Sequence, residues 1–140
     1  MESAGRPPRV LIADDSAVTR FGMRTALERA GVEVVAEAAD GESAVELAVR
    51  ERPDVCLVDM KMPKGGGVHA VREIKRSLPE TPVVMLTASE SGDDVLAALR
   101  EGAWGYILKD EDLAEITRAV QSAAAGERPI SKRAMRELLE

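Results

Sequence analysis

Short apolar runs that alternate with helical spacing constrain this chain more than any other feature of its sequence. Val10-Leu11-Ile12-Ala13 is the first run, and it ends in Asp14-Asp15-Ser16. The others are Val32–Ala36, Asp54–Val58, Val83–Leu86 and Tyr106–Leu108. Between them, apolar residues recur at helical intervals: Met23, Ala26, Leu27 and Ala30; Ala44, Leu47 and Ala48; Val68, Val71, Ile74 and Leu78; Val95, Ala98 and Leu99; Leu113, Ile116, Val120 and Ala123. Gly31, Gly102 and Gly126 stop three of these helices, and Pro53 ends another, because a residue before proline avoids the helical region. Strands apolar on both faces and alternating with helices form a parallel sheet covered on both sides. Right-handed crossovers make that sheet doubly wound. The expected fold class is therefore α/β, a doubly wound five-stranded parallel sheet with five helices.

Composition narrows the function. The chain has 140 residues, enough for one domain with its own core, and its net charge of −6 disfavours a general nucleic-acid surface. One cysteine, Cys56, excludes an internal disulfide framework and a cysteine zinc site, which fits a reducing cytoplasm. No apolar run reaches the roughly 20 residues needed to span a bilayer. Residues 1–8 read as a disordered lead, 9–126 as the domain, and 127–140 as a linker.

The chemistry lies at the strand ends. Asp14, Asp15, Asp59, Thr87 and Lys109 each fall at the carboxyl end of an expected strand, where open α/β sheets bind ligands. If the first and third strands are neighbours, about 4.8 Å apart, three carboxylates converge. Their repulsion calls for a hard divalent cation, and Mg²⁺ suits a site of few carboxylates, water and phosphate. Lys109 adds an ammonium and Thr87 a hydroxyl. A carboxylate nucleophile, a divalent metal, an ammonium and a hydroxyl are what phosphoryl transfer to a carboxylate requires. Taken singly, each residue has a plainer role: aspartates cap helices, threonines fill strands and lysines sit in solvent. Four strand ends offering complementary groups at one edge outweigh those roles.

Four segments carry a resemblance. Val10-Leu11-Ile12-Ala13-Asp14-Asp15, Leu57-Val58-Asp59-Met60-Lys61-Met62-Pro63, Val84-Met85-Leu86-Thr87-Ala88 and Gly102-Ala103-Trp104-Gly105-Tyr106-Ile107-Leu108-Lys109-Asp110 together resemble the receiver domains of two-component response regulators, over residues 9–126. The resemblance implies a flavodoxin-like fold with strand order 2-1-3-4-5. It implies that Asp59 accepts a phosphoryl group from a phosphohistidine on a sensor histidine kinase. It implies that Mg²⁺ is held by Asp14, Asp15, Asp59 and the backbone carbonyl of Lys61. Thr87 would contact the phosphoryl oxygens, Lys109 would pair with them, and Tyr106 would swing inward as an aromatic switch. The face of the fourth helix, fifth strand and fifth helix would then change, in many relatives toward a homodimer. Such a protein is not an enzyme on external substrates; it catalyses only its own phosphorylation and dephosphorylation.

Lys109 is followed by Asp110 where many receivers carry proline, and the surrounding phrase looks most like the NarL/FixJ type. Those regulators carry a LuxR-type helix-turn-helix that binds DNA. The expectation is a receiver cut from a longer transcription regulator, with no direct nucleic-acid binding by this chain. A natural stand-alone receiver, or a phosphate-independent interaction module, is the alternative. Glu127–Glu140 holds Ile130, Ala134 and Leu138, a short helix that Ser131 could cap.

Other residues leave readings open. Gly65-Gly66-Gly67 makes the loop after Asp59 flexible. Lys61 and Ser89 hold positions that tune phosphoryl lifetime in related receivers, although Lys61 also reads as a solvated side chain. His69 reads as a surface residue and Cys56 as inert core. Trp104 is either a contact on the output face or partly buried packing. A flavin-binding flavodoxin would need a phosphate loop after the first strand, where Asp14-Asp15 is acidic. A phosphatase using an aspartate nucleophile would place an acid where Lys61 stands.

Overall fold

The computed structural model describes residues 6–88, 92–130 and 132–139. Five parallel strands, β1 (Arg9–Ala13), β2 (Glu33–Ala38), β3 (Val55–Asp59), β4 (Val83–Thr87) and β5 (Gly105–Leu108), form one sheet in the order β2-β1-β3-β4-β5. Helices α1 (Ala17–Arg29), α2 (Gly41–Glu51), α3 (Gly66–Ser77) and α4 (Gly92–Arg100) make the crossovers, α5 (Leu113–Ala124) follows β5 and flanks the sheet with them, and α6 (Lys132–Leu139) comes last.

The period of two along each strand sorts side chains onto two layers. Leu11, Cys56, Val58, Met85 and Tyr106 face Ala44 and Ala48 of α2, Val71 and Ile74 of α3, and Val95 and Ala98 of α4. Val10, Ile12, Leu57, Val84 and Ile107 face Met23 and Leu27 of α1 and Ile116 and Val120 of α5. Both layers are built from buried apolar side chains, which is why the strands read as continuous apolar runs. Cys56 lies fully buried in the first layer, and that burial pushes its thiol pKa up to about 12.

The expected elements are all present, with some edges moved. β2 runs two residues past Ala36, because the amide of Asp14 donates to the carbonyl of Ala38 (3.0 Å) and holds the strand end against β1. Arg52, ahead of Pro53, ends α2 in a left-handed conformation (φ 50°). Ala30 lies past the end of α1 as its C-cap, and Leu113 in the first turn of α5 stays exposed. On α3, Ala70 rather than Val68 completes the buried face with Val71 and Ile74. Arg6 pairs with Asp54 (3.6 Å) and the carbonyl of Pro8 accepts the amide of Glu33 (2.8 Å), so the end of the lead lies along the sheet. Ser89 and Ser131 lie outside the described residues.

The three-glycine loop uses the missing side chains in two ways. Gly65 (φ 102°) and Gly66 (φ 74°) occupy left-handed backbone that other residues adopt at a cost. Gly67, in the first turn of α3, lies hard against the end of β3: a Cβ there would collide with the carbonyl oxygen of Asp59 and come within 2.7 Å of the Cα of Met60. Its amide donates to the carbonyl of Met60 (2.8 Å), and the amide of Met60 donates to the carbonyl of Leu86 (2.8 Å). Gly67→Ala is therefore expected to destabilise the fold by about 1–3 kcal/mol, measured by urea unfolding. An unchanged midpoint would mean that this backbone contact is not needed.

Candidate functional site

The strand register delivers the site. β1 and β3 lie side by side, with Ala13 opposite Val58, so the residues that follow, Asp14 and Asp59, emerge at the same edge. β4 lies beside β3 with Asp59 opposite Leu86, and β5 beside β4 with Thr87 opposite Leu108. The amide of Lys109 donates to the carbonyl of Thr87 (2.7 Å), which extends the ladder to the lysine. Asp14, Asp15, Asp59, Lys61, Thr87 and Lys109 thus come to one edge of the sheet, while Tyr106 lies inside β5 opposite Met85. Each is held by the strand ladder rather than by a free loop, apart from Asp15 and Lys61.

One carboxylate oxygen from each of Asp14, Asp15 and Asp59 lies within 4.8 Å of the others. Asp14 and Asp59 are buried and Asp15 is exposed. Lys109 Nζ reaches in between, 2.9 Å from Asp14 Oδ2 and 3.4 Å from Asp59 Oδ2. The pairing with Asp14 has ion-pair distance without hydrogen-bond angles, so Oδ2 of this fully buried carboxylate keeps an unfilled acceptor. A buried carboxylate oxygen in that condition is costly, and a cation entering the cluster would relieve it. The donor set also fits a hard cation: three carboxylates and, on the adjoining loop, the backbone of Lys61. An open cleft of about 490 Å³ lined by Asp15, Met60, Lys61 and Gly66 gives access beside it.

The charges are coupled. Burial, and then the negative charge of Asp14, push the Asp59 pKa above the usual carboxylate range, while Lys109 and the amide of Lys61 pull against them. Burial works against the ammonium of Lys109, but Asp14 and Asp59 outweigh it and hold its pKa above the ordinary value. The Lys61 amide approaches Asp59 Oδ1 at 3.4 Å, and its side chain is exposed. Thr87 is fully buried at the end of β4. Tyr106 is fully buried beside it: burial raises the phenol's pKa and the neighbouring Thr87 hydroxyl lowers it. The aromatic ring is thus already inside.

Sequence reasoning missed the brace under the acidic turn. Arg20 Nη1 donates to the carbonyl of Asp14 (2.6 Å) and Arg20 Nε to Glu37 Oε1 of β2 (3.0 Å). Arg24 also pairs with Glu37. Burial opposes the charge on Glu37, yet Arg24 and Arg20 hold its carboxyl below the ordinary range. Within the turn, Asp14 Oδ1 accepts the amide of Ser16 (2.9 Å), and Ser16 Oγ caps α1 by accepting from Thr19 (3.2 Å). The only sequence signal was an arginine one turn into the helix after the acidic pair. Its partner on β2 is identifiable only once the strands are aligned. His69 packs its ring against Gly65 and takes no part in the site.

The model of the response regulator receiver domain matches residues 10–121, and the chain belongs to that family. The nitrate/nitrite response regulator protein NarP of Escherichia coli (strain K12) is 38% identical over 135 residues, covering 96% of this chain and 63% of NarP. The transcriptional regulatory protein YxjL of Bacillus subtilis (strain 168) is 38% identical over 120 residues, covering 85% of this chain and 55% of YxjL. A two-component response regulator of the LuxR family from Aurantimonas sp. SI85-9A1 superposes with TM-score 0.90 at 33% identity, over 95% of this chain and 96% of that one. Within the family the chain is a NarL/FixJ-like receiver. It spans between 55% and 63% of the length of those two curated relatives. No helix among the described residues is long and apolar enough to cross a membrane.

The raised Asp59 pKa carries a sign. Its protonated form favours the fold, so the stabilising contribution is complete below the unfolded carboxylate pKa and is lost as pH rises through the folded value. The penalty grows as pH rises through the folded value. Asp59→Asn should therefore stabilise the metal-free protein, by on the order of 1 kcal/mol, or ~2–8 °C in melting midpoint. Calorimetry at neutral pH with a chelator checks this; a lower midpoint would show that Asp59 contributes more through Lys109 than it costs.

Proposed function

We propose that this chain is a phosphoacceptor, taking a phosphoryl group onto Asp59 from a histidine kinase and relaying that event to an output domain. The observation that carries the reading is the placement of Lys109 Nζ between the buried carboxylates of Asp14 and Asp59, with Asp15 completing a cluster within 4.8 Å. Asp14, Asp15, Asp59 and the carbonyl of Lys61 would hold Mg²⁺, which when bound would offset negative charge on the phosphoryl oxygens.

An oxygen of Asp59 attacks phosphorus; the new O–P bond forms as the donor's N–P bond breaks, and the electron pair returns to the imidazole nitrogen, which takes a proton from solvent. Lys109, already beside Asp59, pairs with the developing charge, and the Thr87 hydroxyl donates to a phosphoryl oxygen. Hydrolysis reverses the loading: water attacks phosphorus, the acyl-phosphate P–O bond breaks, and Asp59 is regenerated as inorganic phosphate leaves. Lys61 stands where a phosphatase would need an acid, so the chain acts on its own phosphoryl group and not on external substrates. Val18 and Phe21, 83% and 72% exposed on α1 just past the acidic turn, offer an apolar contact for the kinase. The kinship with a transcriptional regulator and a LuxR-family protein supports transcription control through a DNA-binding domain, in a cytoplasmic setting.

Intact-protein mass after incubation with acetyl phosphate tests this. The expected gain is one phosphoryl group that requires both Mg²⁺ and Asp59, and is absent from Asp59→Asn. No gain with Mg²⁺ present would leave a phosphate-independent interaction module as the reading.

A further inference from the structure

Of the three carboxylates in the cluster, Asp15 is the one that the strand ladder does not hold. It is exposed on the turn past β1, and its place depends on the peptide that joins it to Asp14. That peptide is planar, so whatever fixes the carbonyl of Asp14 also fixes the Cα of Asp15. Arg20 Nη1 fixes it, at 2.6 Å. The guanidinium is itself held from the sheet: Nε donates to Glu37 Oε1 (3.0 Å), and Glu37 lies opposite Ile12, two residues before Asp14. The Arg20 side chain is only 18% exposed. Its backbone closes the same turn, with the amide of Arg20 donating to the carbonyl of Ser16 (3.0 Å). The amide of Ser16 in turn donates to Asp14 Oδ1 (2.9 Å), and the amide of Asp14 to the carbonyl of Ala38 (3.0 Å). The turn is thus gripped from β2 and from α1, and moving Asp15 away from Asp59 strains the Arg20 contact.

We propose that Arg20 is a specificity-determining residue for the cation: by fixing the turn, it makes the cluster prefer a small divalent ion to a large one. This rests on the reading of Asp14, Asp15 and Asp59 as the metal site. Mg²⁺ demands near-ideal octahedral geometry with oxygens about 2.0–2.1 Å away, whereas Ca²⁺ takes about six to eight oxygens at about 2.3–2.6 Å in adaptable arrangements. Carboxylates that cannot spread favour the first ion. Carboxylates free to spread lose it and still serve the second. Charge alone predicts something else. A guanidinium this close to the turn repels both divalent ions alike, so removing it would tighten both and leave their ratio unchanged. Lysine cannot stand in, because one ammonium on a flexible stem does not reproduce the planar fork that spans Asp14 and Glu37. Arg24 is the internal comparison. It pairs with the same Glu37 and with Glu28, one helical turn further along α1 from Asp14.

The test titrates Mg²⁺ and Ca²⁺ calorimetrically into the full chain, wild type and variants, at matched ionic strength, with urea unfolding to check that each variant is folded. Wild type should bind Mg²⁺ more tightly than Ca²⁺. Arg20→Lys and Arg20→Gln should lose Mg²⁺ affinity by about tenfold or more. Their Ca²⁺ affinity should change less, so that the ratio falls about fivefold or more. Arg20→Lys keeps the charge and is the gentler change, so it decides the matter if Arg20→Gln does not fold. Arg24→Gln should lower the urea midpoint yet keep the wild-type ratio. A wild-type ratio in either Arg20 variant, whether both ions bind more weakly or more strongly, would overturn the proposal and leave the metal site standing. An equal fall of the ratio in Arg24→Gln would overturn it too, since general loosening of α1 would then suffice. So would a wild type that prefers Ca²⁺. No saturable binding of either ion by wild type would remove the metal-site reading and the proposal with it.

Discussion

Mutual repulsion of three carboxylates at one end of the sheet is the constraint around which the rest of this structure is arranged. Asp14 and Asp59 are buried, so water screens them poorly, and the fold compensates with Lys109, whose amino group lies between them. That compensation is partial. Asp59 remains harder to ionise than an ordinary aspartate, and an oxygen of Asp14 lacks a hydrogen-bond donor. A site fully satisfied by its own residues would have little affinity for a cation or a phosphoryl group. The residual imbalance here is what the proposed cation and phosphoryl group would relieve.

The scaffold holds that imbalance in place. Arg20 ties the carbonyl of Asp14 to Glu37 and β2, while Gly67 lets the start of α3 close on the backbone of Asp59 and Met60. Both acidic residues thus sit on backbone that cannot relax away from the repulsion. The strand ladder does the same for Thr87 and Lys109. At the far edge, the ring of Tyr106 fills the layer between β5 and α4, and Arg128 and Trp104 pin the chain beyond it.

The fold and the five site positions were legible because both follow from local signals. A strand buried on both faces must be an apolar run, and a polar residue at its end must emerge at the ligand-binding edge. What was not legible depends on pairing between distant elements. Arg20 and Glu37 are unremarkable until β2 is aligned with β1. The geometry of the glycine triplet was not legible either, since sequence shows the absence of side chains but not the left-handed backbone at Gly65 and Gly66 or the close approach at Gly67. Trp104 left two readings open, and it proves to be partly buried packing against the second layer, with the chain's own Glu127 and Arg128 as further contacts. The inward ring of Tyr106 could not be foreseen either, since it is a choice of conformation rather than of residue.

Calorimetric titration of Mg²⁺ into the wild-type chain and into Asp14→Asn, at matched ionic strength, tests most directly whether charge imbalance makes the site. The account predicts one saturable Mg²⁺ per chain in wild type, with affinity lost or weakened about tenfold or more in Asp14→Asn, an effect of about 1.4 kcal/mol or more. Equal Mg²⁺ binding by the two proteins, or no saturable binding by wild type, would contradict it.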